Sequence, residues 1–214
     1  MFLGHYALGF AAKKIDKRPS LGTMFLAVQW LDLLWAILVL TGVEKVSIEP
    51  GNTVLTPLNF EYYPWSHSLL MAIAWGVLFA IVYFAFTKNL KSSIFLLLLV
   101  FSHWVLDWIT HRPDLPITPF SDMKVGLGLW NYKWVEITLE TTMFFTGAFI
   151  YLKVTRPKNN VGKWSLLALL LFFIVIHLMN IFGPPPPSVN AIGWAGLSLW
   201  LFVIWGYWID RNRT

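Results

Sequence analysis

The 214-residue chain contains no cysteine. A disulfide framework, thiolate catalysis and cysteine metal ligation are therefore excluded. Charge is scarce: 13% of residues are Asp, Glu, Lys or Arg, against about a quarter in soluble domains. The apolar share is 57% and the mean hydropathy is +0.62. No internal repeat appears, and the only low-complexity stretch is Pro184–Pro187. No A-x-A site follows Met1–Ala12, and its apolar part precedes the positive charges, so it does not read as a signal peptide.

What is present is a series of long apolar runs. They predict an all-α, polytopic integral membrane bundle, one transmembrane domain over residues 1–214, with six full spans. These are 21–43, 67–87, 92–111, 133–153, 164–182 and 190–209. Met1–Ala12 is too short to span and is expected to dip into the bilayer or pack on the bundle. Ser66 is the expected cap of the second span. Two long loops rich in Pro and Gly, 44–66 and 112–132, are expected to cover a cavity.

Basic residues are distributed unequally. Twelve (Lys13, Lys14, Lys17, Arg18, Lys88, Lys91, Lys153, Arg156, Lys158, Lys163, Arg211, Arg213) fall on one set of connections, and four (Lys45, Arg112, Lys124, Lys133) on the other. The positive-inside rule then puts both termini in the cytoplasm and the long loops outside. Because the clusters sit at membrane boundaries, the net charge of +5 is read as contact with anionic membrane lipids, not with nucleic acid.

Within the apolar runs stand residues that hydrocarbon disfavours. Ser102–Pro116 reads SHWVLDWITHRPDLP. His103, Asp107 and His111 are spaced i, i+4, i+8, a drift of about 40° per step, so a helix puts them on one face. Asp32, Glu136 and Glu140 also lie inside predicted spans, and His5 in the short first helix. No Lys or Arg lies inside a span, and only Lys133, at a span end, can pair with Glu136. Buried carboxylates must be protonated, paired, hydrated or metal-bound. Asp/His mixtures suit zinc and other first-row divalent ions. Rise per residue places most of this set between mid-bilayer and the outer leaflet, with His67 at the outer surface.

Taken in order, these residues resemble a family, the membrane-bound, metal-dependent hydrolases of bacterial inner membranes. That family carries an early His, a Pro-Asp-x-Asp, a His-Arg-Gly-x-Thr-His-Ser and a Ser-His-x-x-x-Asp. His5 is similar to the first. Gln29-Trp30-Leu31-Asp32 keeps the second Asp of the next, with Trp30 in place of an acid. Ser66-His67-Ser68 resembles the end of the third, with Pro64-Trp65 where Arg-Gly is expected. Ser102-His103 with Asp107 matches the fourth. The resemblance covers roughly residues 1–120. It implies a divalent metal, zinc first among candidates, as one or two ions.

The expectation is a hydrolase acting on a lipid-like or phosphorylated substrate from the outer leaflet. His5, Asp32, His67, His103, Asp107 and His111 are its expected ligands, with Asp107 as a possible bridge between two ions. Glu136 or Glu140 is the expected general base. The alternative is a proton- or ion-coupled transporter using the same carboxylates. A third reading makes the polar layer a packing device only. His177, alone on an apolar helix, reads as a core histidine. The sequence leaves substrate, metal identity and oligomeric state open.

Overall fold

The computed structural model describes residues 1–214, and the chain is mostly helical. The nine helices are α1 (Phe2–Ala12), α2 (Leu21–Val28), α3 (Trp30–Leu40), α4 (Pro64–His67), α5 (Leu69–Thr87), α6 (Leu90–Thr110), α7 (Lys133–Val154), α8 (Asn160–Phe182) and α9 (Val189–Arg211). Two small antiparallel ribbons were not anticipated. β1 (Lys45–Ile48) pairs with β2 (Leu58–Tyr62), and β3 (Leu115–Pro116) with β4 (Lys124–Val125). Both lie in the long loops and give their backbone groups partners.

The expected six full spans are not supported. Four helices, α5, α6, α8 and α9, are long and apolar enough to cross a membrane, and α2 with α3 makes a fifth if the pair counts as one span bent by 56°. The 21–43 run divides at Gln29, whose φ of −107° and ψ of 4° leave the helical region. α7 has the length, but Lys133, Glu136, Glu140 and Lys153 make it too polar to qualify. α5 begins at Leu69, capped by Ser68 Oγ accepting from Met71 N, so Ser66 is not its cap. The outward faces of α5, α8 and α9 expose Ile73, Ile81, Leu171, Val175 and Leu201, as lipid contact requires.

The connections gather at two ends. At one, Lys13 Nζ lies 3.0 Å from Asp210 Oδ2, Ser92 Oγ donates to Asp16, and Arg213 donates to Thr155 Oγ1 and the Gly162 carbonyl. The basic connections therefore share one end. At the other, Leu55 N donates to the Trp130 carbonyl, Arg112 to Asn59 and Lys124 Nζ to the Glu61 carbonyl, tying the two long loops together.

α1 is the innermost element. Leu3, His5, Tyr6, Ala7, Phe10 and Ala12 are all buried, and it packs chiefly on α7 and α2. Tyr6 and Phe10 meet Phe25 edge-on at 5.0 and 4.9 Å. The approach of α7 depends on Gly147: a Cβ there would lie 2.3 Å from the Ala7 carbonyl oxygen, and backbone cannot yield as a side chain can. Gly147→Ala is expected to cost about 1–3 kcal/mol by overpacking. Unfolding in detergent micelles measures this; an unchanged transition would show that the contact does not hold α1 in place.

Candidate metal centre

Five of the six expected ligands converge, and each is positioned by a helix or a helix break. α6 carries His103 and Asp107 one turn apart, both buried. Asp32 stands in the first turn of α3, immediately after the bend. The bend also frees the Val28 carbonyl, which accepts from His103 Nδ1 at 2.6 Å. A carbonyl can only accept, so Nδ1 carries the proton and Nε2 is left with its lone pair. His67 ends the single turn α4, ahead of α5, and stands beside Asp32 and His103, not apart from the set as its place in the sequence implied. His5 comes from α1, which hydrogen-bonds to α7 at this level: Gly4 N donates to Glu140 Oε1 at 3.2 Å.

Asp107 is at the centre. Its Oδ1 lies 3.2 Å from His5 Nε2 and accepts from the Met1 ammonium at 3.2 Å, and its Oδ2 lies 3.0 Å from His103 Nε2 and 3.6 Å from His67 Nε2. Asp32 Oδ1 is 3.4 Å from His67 Nε2 and 3.6 Å from His103 Nε2. The His5 and His103 rings stack at 3.7 Å. Two sets, His5–His103–Asp107 and Asp32–His67–His103, each bring three ligand atoms within 4.8 Å of one another. His103 Nε2 is buried and, although 3.0 Å from Asp107, makes no hydrogen bond. An imidazole lone pair and carboxylate oxygens directed at shared space are the donor set that a divalent ion takes. Because His103 belongs to both sets but has one free nitrogen, it can serve only one ion at a time.

A second layer escaped the sequence reading. Glu44 Oε1 accepts from Trp65 N and Ser66 N, each at 2.8 Å, and Glu44 Oε2 accepts from Ser66 Oγ at 2.6 Å. Ser66 Oγ in turn lies 2.7 Å from His67 Nδ1. With its hydroxyl proton given to Glu44, Ser66 accepts from His67 and turns Nε2 toward Asp32 and Asp107. Burial pushes the Glu44 carboxyl above the usual range, against the pull of its hydrogen bonds from Ser66. Glu44 follows an apolar run and looks like an ordinary loop acid; the one available signal was the Ser-His dipeptide.

His111 is a correction. α6 ends at Thr110, and His111 takes extended geometry (φ −64°, ψ 146°), so it leaves the helical stripe. Its Nδ1 lies 3.0 Å from Asp114 Oδ1, beside Tyr63 Oη, and it belongs to neither ligand set. Burial would raise the Asp114 carboxyl, but hydrogen bonds from His111, Tyr63 and Arg112 outweigh it and hold it below the usual range.

Glu136 and Glu140 are buried but touch none of the five Asp and His side chains, so a general-base role has no direct contact behind it. Lys133 does not pair with Glu136; its Nζ sits 5.4 Å over the Phe182 ring. His177 is buried as expected, but not alone: its Nδ1 lies 3.5 Å from Glu140 Oε2.

A cavity of about 710 Å³ joins these parts. Asp32, His67, Asp107, His111, Glu136, Glu140 and His177 line it, and Pro50, Gly51 and residues 53–58 with Pro184–Pro187 form more of its wall. Loop 44–66 thus covers the site, while loop 112–132 contributes Trp130.

Such a fold defines a polytopic membrane protein with a buried His/Asp centre beneath its loops. Residues 64–183, more than half of the chain, match the YdjM inner membrane protein family, and the chain belongs to that family. No curated protein and no solved structure matches it.

Two outcomes are expected. Ser66→Ala leaves His67 unoriented and should weaken divalent-ion affinity about 10–100-fold, read by competition with a chelating dye; unchanged affinity would remove His67 from the ligand set. Asp114 has a lowered folded value, so its contribution to stability is complete above about pH 4 and lost as pH falls through that lower value. Asp114→Asn should remove this acid-side loss and loosen residues 58–63 and 111–116 in hydrogen exchange.

Proposed function

We propose that the protein is a membrane-embedded, metal-dependent hydrolase acting on a lipid-like or phosphorylated substrate from the outer leaflet. The observation that carries this reading is the convergence of His5, Asp32, His67, His103 and Asp107 on one buried point that borders a cavity. A bound divalent ion, zinc first among candidates, would polarise a scissile carbonyl or phosphoryl oxygen and lower the pKa of a water.

The chain's own residues supply the rest. His103 and Asp107 would hold an ion together with His5, or His103 would hold one with Asp32 and His67. Val28 and the Ser66–Glu44 relay keep the two imidazoles in the ligating tautomer. Asp32, the least buried member, faces the cavity and is the group able to orient a water and accept its proton. The loop residues 50–58 shield the site from bulk water. Both termini and the basic end face the cytoplasm, which leaves the cavity outward.

The transporter reading gains one observation, the broken α2–α3 segment beside Asp32. Discontinuous helices mark ion sites in transporters, usually as a pair in repeated halves. Here the break has no counterpart in an internal repeat, and the hydrolase reading is preferred.

Elemental analysis of protein purified without chelator is the test. One or two equivalents of a divalent metal are expected in the wild type and almost none in Asp107→Asn, which should remain folded because Asn keeps shape and hydrogen bonding. Metal-free wild type would sink the hydrolase; a proton or ion flux in liposomes that disappears in Asp107→Asn would establish the transporter. A reporter fused after Arg213 is expected to report a cytoplasmic location, and a periplasmic signal would invert the topology.

A further inference from the structure

The wall of the cavity away from the Asp/His centre has unmet requirements of its own. Glu136 is 1% exposed, lines the cavity, and neither of its carboxylate oxygens has a hydrogen-bond partner. One turn on, Glu140 spends Oε1 on Gly4 N and directs Oε2 toward His177. The Met1 ammonium stands at the cavity but is bound to Asp107 Oδ1 at 3.2 Å, no Lys or Arg lines the cavity, and the nearest cation in sequence, Lys133, is turned onto Phe182. A buried carboxyl with two idle oxygens stays protonated until a cationic partner arrives to hold it ionised.

A compact metal ion does not match the gap. Unlike the Asp/His sets, Glu136, Glu140 and His177 do not bring three ligand atoms within 4.8 Å of one another. An organic ammonium asks less of the spacing, because each of its N–H donors can take a separate acceptor. Met179, 66% exposed on α8, is part of the same wall, so the cavity borders the surface that acyl chains cover. α7 meanwhile packs on α1 in preference to α8, and the two helices meet through Thr141, Glu140 and His177.

We propose that Glu136, supported by Glu140, is a subsite for an organic ammonium group, the headgroup amine of a lipid or the same group on a soluble amine. This deepens the hydrolase reading by giving the substrate a positively charged headgroup, and it rests on that reading only for what happens after binding.

The test is native mass spectrometry of the full chain offered equal amounts of phosphatidylethanolamine and phosphatidylglycerol with matched acyl chains. Wild type should retain the ethanolamine lipid about tenfold over the other, the scale of one charge-assisted hydrogen bond. Free ethanolamine should displace it. Glu136→Gln should abolish the preference, while Asp107→Asn, which acts on the metal, should keep it. Stabilisation of wild type by free ethanolamine without lipid preference also supports the subsite and assigns it a soluble amine. Equal retention of both lipids with no effect of ethanolamine overturns the proposal, as does undiminished preference in folded Glu136→Gln. If that variant does not fold, displacement by ethanolamine in wild type decides. Selective but metal-free protein would fail the hydrolase and keep the subsite; metal-loaded, unselective protein would do the reverse.

Discussion

Burial of the Asp107 carboxylate is the constraint on which the structure depends. An ionised carboxylate removed from water costs several kcal/mol even after relaxation. Here each oxygen faces imidazole nitrogen, His5 at Oδ1 and His103 and His67 at Oδ2, and Oδ1 also accepts from the Met1 ammonium. These groups come from α1, α6 and α4, and Asp32 of α3 joins them through the same two imidazoles. Four helices are thereby held at one depth. α1, too short to span, keeps its central place because it brings His5 to this point and packs Tyr6, Phe10 and Ala7 against the surrounding helices.

The site is built from interruptions in helices. A continuous helix consumes its own carbonyls, so it offers side chains and no backbone acceptor. The bend at Gln29 frees the Val28 carbonyl for His103 and starts α3 just before Asp32. The break at Ser68 separates His67 from α5 and lets Glu44 bind the first N–H groups of α4. The end of α6 turns His111 away to Asp114 and Tyr63. In a bilayer such non-helical backbone is tolerated where protein or a cavity surrounds it, and both conditions hold here.

Polar and apolar demands are separated in space. Lipid-facing surfaces of α5, α8 and α9 are almost wholly apolar, whereas acids and imidazoles line one cavity beneath the long loops. That cavity offers a ligand set at one wall and two carboxylates at another, an arrangement suited to a molecule with an electrophilic centre and a cationic group. Family membership places the chain in the inner membrane, and the chemistry follows from the site.

Much of this was legible in the chain. Apolar run length specified a helical membrane protein, because hydrocarbon demands internally satisfied backbone. The i, i+4 spacing of His103 and Asp107 placed them together, since helix geometry is local. His5, Asp32 and His67, which the structure brings beside His103 and Asp107, stood out in the sequence too, in motif order. What sequence could not show depended on contacts between distant segments. The bend at Gln29, the withdrawal of His111, the Ser66–Glu44 relay and the turning of Lys133 onto Phe182 each replace a local expectation with a tertiary partner. The count of spans fell for a different reason, the polar composition of α7 itself, and the tertiary structure explains where that composition is tolerated. Hydropathy along the chain treats every residue alike, but α7 can carry Glu136 and Glu140 only because α1 and the cavity, and not lipid, lie against them.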